Sequence, residues 1–137
     1  MSAAQDAPDA SARECAAARV ADRSRAEPQR IQRLYREARD PGVKAVAVQA
    51  MGDHYHYESM PMILAGLEDP SPAVRQRAKA AAARLTGYIS HWDPNGTPEE
   101  RRNLVEFYKA QWRSLEGSQQ LADFKRRLAQ QPERSAR

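Results

Sequence analysis

Residues 60–82 read MPMILAGLEDPSPAVRQRAKAAA, and their order decides the fold. Two apolar-periodic segments flank the turn Asp69-Pro70-Ser71-Pro72. Ahead of it, Ile63, Leu64 and Leu67 share one helical face behind Ser59 and Pro61, which read as a helix start. After it, Ser71 is the N-cap and Pro72 takes the first helical position, where its missing N–H costs nothing. Val74, Ala78, Ala81, Ala82 and Leu85 form the inner face of the second helix, which Gly87 ends. The unit is helix, turn, helix.

The segment before it repeats the plan. Residues 31–52 read IQRLYREARDPGVKAVAVQAMG. Pro28 opens a helix whose face is Ile31, Leu34, Tyr35 and Ala38. Asp40-Pro41 ends it and caps the next, which places Val43, Ala47, Ala50 and Met51 on one side and is expected to stop at Gly52. Val43, Ala47 and Ala50 recur as Val74, Ala78 and Ala81, 31 residues on, and Asp40-Pro41 recurs as Ser71-Pro72 at the same shift. Leu34 and Ala38 recur as Ile63 and Leu67, 29 residues on, the difference falling in the turn.

On these residues, roughly 28–87 resemble HEAT repeats of the short bacterial type: an apolar first helix, an Asp-Pro turn, and a Val-Arg start to the second helix. The period is shorter than the ~40–47 residues of longer HEAT units, and Lys44 stands where the second unit has Arg75. The resemblance implies an all-α fold, a short right-handed α-solenoid of helix pairs whose second helices line the inner surface. It also implies a non-catalytic scaffold for protein interaction.

One helix pair cannot bury its apolar face alone, and about three stacked units give a continuous core. The third is expected downstream. After an aromatic loop, Gly87 to Gly96, Thr97-Pro98-Glu99-Glu100 carries N-cap threonine, first-position proline and capping-box glutamate. Leu104, Phe107, Tyr108, Trp112 and Leu115 face inward up to Gly117. A last helix starts at Ser118 with Leu121, Phe124 and Leu128. Thr97-Pro98 lies 26 residues past Ser71-Pro72, so 97–130 reads as a degenerate third unit and capping helix pair. A weaker helical pattern runs from Ser11 to about Arg25. The whole divides into a disordered polar tail (1–10), one repeat domain (11–130, with units at 28–52 and 59–87) and a frayed tail (131–137). Ala47, Ala50, Ala78 and Ala81 let helices approach closely, whereas Ala45 and Ala80 are expected to face outward. Phe107, Tyr108, Trp112 and Phe124 are expected to close the core at its end.

With 137 residues the chain is one domain. Its net charge is +4 and unevenly spread: −2 over residues 1–12, +4 over 13–39, −1 over 40–97 and +3 over 98–137. The basic excess therefore flanks the repeats, which argues against a dedicated phosphate-binding domain. A single cysteine, Cys15, excludes an internal disulfide and a cysteine-rich metal site. Its Ala-rich surroundings suit packing better than nucleophilic catalysis. No apolar run approaches a membrane span. No export signal is visible in residues 1–12, so the default expectation is cytoplasmic, although a chain whose signal had been removed would read the same. No Gly-rich phosphate loop and no cofactor motif is present. Gly66, mid-helix, marks close packing.

Four cations form the leading site. Lys44, Arg75 and Arg101 stand at the same distance from three helix-opening prolines, and Lys79 adds a charge one turn past Arg75. The functional reading is a basic stripe for a partner protein with an acidic surface. The family resemblance supplies the competing reading for Arg75: a bond to a neighbouring turn, such as Asp69 or Asp40, in an inter-repeat ladder. Nucleic acid or another anion is the second partner class, since HEAT-like repeats also build alkylpurine DNA glycosylases, but no aspartate in an aromatic pocket transfers from them. A metal site is the third. His54, His56 and His91 sit in equivalent loops ~10 Å apart, one helix diameter, with Asp53 or Asp93 available, but their spacing matches no zinc pattern. The plainer reading is that these loops cover the ends of the stack. Glu99 and Glu100 read as first-turn carboxylates favoured by the helix dipole, in preference to an acid–base pair. Trp92 and Trp112 read as core or cap residues, with an exposed anchor as the alternative for Trp92, which lies in a loop.

Overall fold

The helices begin at the capping signals, and this sets the repeat. The computed structural model describes residues 13–15 and 28–130. Its elements are α1 (Pro28–Glu37), α2 (Pro41–Asp53), a 3-10 turn (Tyr57–Ser59), α3 (Met60–Gly66), α4 (Pro72–Thr86), α5 (Pro98–Leu115) and α6 (Gln119–Gln130). There is no strand among the described residues. Both tails lie outside the described residues. So does most of the Ser11–Arg25 segment, of which Arg13–Cys15 are described and helical.

Asp40 caps α2 by accepting the Gly42 N–H at 2.7 Å, and Ser71 caps α4 through the Val74 N–H. Thr97 and Glu100 complete a reciprocal capping box at α5. Ser59 departs from the expected pattern. It makes no side-chain cap to α3. Its buried hydroxyl instead accepts from Gln32 Nε2 at 2.9 Å, tying the start of the second unit to α1 of the first.

α2 packs between α1 and α4. Val43, Ala47, Val48 and Met51 are fully buried, as are Val74, Ala78 and Ala82 of α4. One expectation for the α2 surface fails. Ala45, expected outward, is buried, and so are Val48 and Gly52, because a helix flanked on two sides hides more than one stripe. Ala80, on α4, is exposed as expected. Gly52 does not end α2 either. The helix runs on to Asp53 and is closed by the His54 N–H on Ala50 O at 3.0 Å. Gly52 is needed for contact: a Cβ there would stand 2.8 Å from both Cα and Cβ of Ala81. Gly66 has the packing role read from the sequence, since its Cβ would stand 3.1 Å from that of Ala78. Gly87 does end α4, with φ of +80°.

α5 runs in the same sense as α4. Its first turns lie beside Leu67, Glu68 and Arg75. Further along, the buried Tyr108 hydroxyl donates to Tyr88 O at 2.9 Å and accepts the Ser90 N–H at 3.2 Å, just past the end of α4. The loop of residues 87–97 thus stands where a first helix would be, and α5 continues the series of second helices. At the far end, Trp112 stacks on Tyr57 (6.3 Å between centroids), and Phe124 of α6 meets Tyr55 and Tyr57 edge-on. The aromatic cap therefore also takes Tyr55 and Tyr57 from the α2–α3 loop. Leu121 is the one residue of α6 that is buried.

Candidate interaction surface

The cations read from the sequence have different surroundings. Lys44 Nζ lies 2.9 Å from Asp69 Oδ2, in the turn of the next unit, and 5.3 Å from the centroid of the Tyr35 ring. Burial raises the Tyr35 hydroxyl pKa, against the opposing pull of Lys44. Arg75 is buried, 7% exposed. Its Nε donates to Pro94 O (2.9 Å) and Asn95 Oδ1 (3.2 Å), and Nη1 donates to Asp69 O (2.8 Å) and Pro70 O (3.0 Å). The side chain joins its own turn to the turn of the next unit. The sequence pointed to a carboxylate partner for it; the acceptors are three carbonyls and a side-chain amide. Lys79 Nζ donates to Trp92 O at 2.9 Å. Upstream, Asp40 accepts from Arg13 Nε at 3.0 Å. The ladder thus runs Arg13–Asp40, Lys44–Asp69, Arg75–Pro94/Asn95, with Lys79 steadying the last loop.

Arg101 is different. It is half-buried, and its Nε is shut off from solvent with no hydrogen-bond partner. With Arg75 it lines one groove of about 320 Å³ between the α3–α4 turn and α5. Arg102 and Lys109 of α5 line it as well, opposite Glu68 and beside Glu106. Neither Arg102 nor Lys109 entered the sequence-derived stripe. The signal was there, because residues 98, 101, 102, 105 and 109 share one side of a helix. Lys44 and Lys79 do not line this groove.

The histidines do not converge. His54 and His56 rings are 5.8 Å apart, while His91 lies on the Trp92 indole at 4.4 Å. Among the described residues, no group of three His, Cys, Asp or Glu side chains is placed to hold a metal. Asp93 accepts the Asn95 N–H at 2.8 Å, shaping the loop that receives Arg75. Glu100 is engaged in its capping box, and Cys15 is exposed. Trp92 is partly buried against the core; the exposed apolar side chains of that loop are Tyr88 (55%) and Ile89 (87%).

A ladder of turn-to-turn bonds between stacked helix pairs defines a helical-repeat protein. The family described as HEAT repeats matches residues 27–115, more than half of the chain and through the last residue of α5. The chain belongs to the HEAT-repeat family. HEAT repeats are generally protein-interaction scaffolds and typically non-enzymatic. No curated protein and no solved structure matches the sequence. Among the described residues, no helix is long and apolar enough to cross a membrane.

Proposed function

We propose that this chain is a non-catalytic protein-interaction module whose partner is a protein with an acidic surface. The observation that supports this is the state of the α5 cations. Arg101, Arg102 and Lys109 make no ion pair among the described residues, whereas Lys44 is bonded within the stack. Of the four residues first read as a stripe, Arg101 is the one that meets the partner directly. Lys44, Arg75 and Lys79 set the positions of the turns behind it and add to the field that draws in a negative partner.

The test is affinity capture from source lysate after nuclease treatment, beside the variant Arg101→Glu/Arg102→Glu/Lys109→Glu. Acidic proteins retained by the native chain and lost from the variant support the proposal, provided both melt alike. Random duplex DNA serves as the counter-probe. Duplex binding that persists at physiological salt, with the same protein set captured by both chains, would reject it.

A further inference from the structure

Building on the reading of this chain as an interaction module, we propose that the groove between the α3–α4 turn and α5 seats one acidic side chain of a partner's extended segment, flanked by apolar side chains. Arg101 is the anchor.

The repeat itself shows what this position binds. Lys44, Arg75 and Arg101 each stand three residues beyond a helix-opening proline. Lys44 meets a carboxylate oxygen of a following turn at 2.9 Å. Arg75 meets a carbonyl and a side-chain amide oxygen of the next turn, at 2.9 and 3.2 Å. Arg101 has the same place in the series, a buried Nε and no acceptor. The protein itself closes off that Nε, so a ligand in the groove meets the outer Nη nitrogens, and a carboxylate accepts from such a fork in a bidentate pair.

The rest of the lining narrows the class of ligand. Arg102 and Lys109 surround the same space, so an anion held by Arg101 sits among three cations. Leu67, Pro98 and Val105 supply apolar walls, which suit an aliphatic side chain next to the acid. The volume, about 320 Å³, is near the small end of ligand-sized clefts, roughly 300–1,000 Å³, and holds a side chain or two. Glu68 and Glu106 oppose a run of negative charges: a polyphosphate in the groove would bring a further anion against one of them. One carboxylate with apolar neighbours meets no such repulsion, and its backbone N–H groups find acceptors in those glutamates.

The experiment is fluorescence anisotropy at low salt with a labelled, C-terminally amidated decapeptide alternating leucine and glutamate, so that every carboxylate is a side chain. Its serine–glutamate counterpart and a random DNA duplex are the comparison probes. The leucine–glutamate peptide should bind best. Arg101→Met, which keeps the stem and removes the charge, should weaken it roughly tenfold. Glu68→Gln/Glu106→Gln should strengthen duplex binding more than peptide binding. All variants should melt with the native chain. Equal peptide affinity for the native and Arg101→Met chains would overturn the groove assignment and leave the interaction reading standing, since acidic segments would then bind elsewhere. No peptide binding to the native chain would also overturn the assignment, with lysate capture still testing the broader reading. Duplex binding tighter than the peptide's and dependent on Arg101 would overturn both.

Discussion

Arg75 and Arg101 occupy the same step of the repeat and meet opposite fates. Arg75 is buried with four hydrogen bonds to two turns. Arg101 is half-buried and lines a groove, and its Nε, closed off from solvent, has no hydrogen-bond partner. The difference is one of position in the stack. A turn follows α4 at the level of Arg75, and its oxygens accept from the guanidinium; no described turn reaches Arg101. One residue type at one repeat position is therefore an internal strut where a neighbouring turn meets it and a candidate contact where none does. Arg75→Ala should cost about 3 kcal/mol, since a charged donor is lost and several buried carbonyls are left without it. Denaturant titration measures this. A cost under about 1 kcal/mol would remove Arg75 from the ladder.

Overpacking tests whether the helices that carry the ladder approach as closely as described. Gly52→Ala drives a methyl group into the backbone of Ala81 and should destabilise by about 1–3 kcal/mol. Ala78→Leu should behave similarly, and so should Ala45→Leu, whereas Ala80→Leu should stay within about 0.5 kcal/mol. Thermal melts that failed to separate Ala45→Leu from Ala80→Leu would contradict the placement of α2 between α1 and α4.

The opposite end of the stack, held by aromatic contacts, should respond to alkali. Burial, with a smaller contribution from Tyr55, pushes the Tyr57 hydroxyl from 10 up to about 12. The folded state then holds this proton more tightly than the unfolded chain does. Its contribution is present below pH 10 and is lost as pH rises from 10 toward 12, on the order of 2 kcal/mol in all. Melting temperature should fall over that window, and Tyr57→Phe should flatten part of the fall. Tyr108, raised in the same direction by burial, accounts for some of the remainder.

The smaller effects sharpen the first comparison. Lys44→Ala removes a partly buried ion pair and should cost about 1 kcal/mol, declining with added salt. Arg101→Ala should change stability least, within about 0.5 kcal/mol, or raise it slightly by removing an unsatisfied donor. A large loss for Arg101→Ala would make it a strut like Arg75.

The sequence by itself determined the helices, their order and the repeat. Proline, cap and apolar spacing are local signals, and Asp40, Ser71 and Thr97 act within a few residues of where they stand. It also marked Gly66 as a close contact, but for Arg75 it left two readings, a partner-facing stripe and, from the family resemblance, a strut to a neighbouring turn. The tertiary structure alone decided which side of each helix was covered. Ala45 and Gly52 are hidden because α2 has neighbours on two sides, a property of the stack that no single-helix periodicity records. It alone decided the groove as well. Arg102, Lys109 and Glu68 share it because α5 follows α4 and passes the end of α3. The same positioning separates Arg101 from Arg75: an arginine's partners are set by which turn comes to lie within about 3 Å of it, and that distance exists only once the chain has folded.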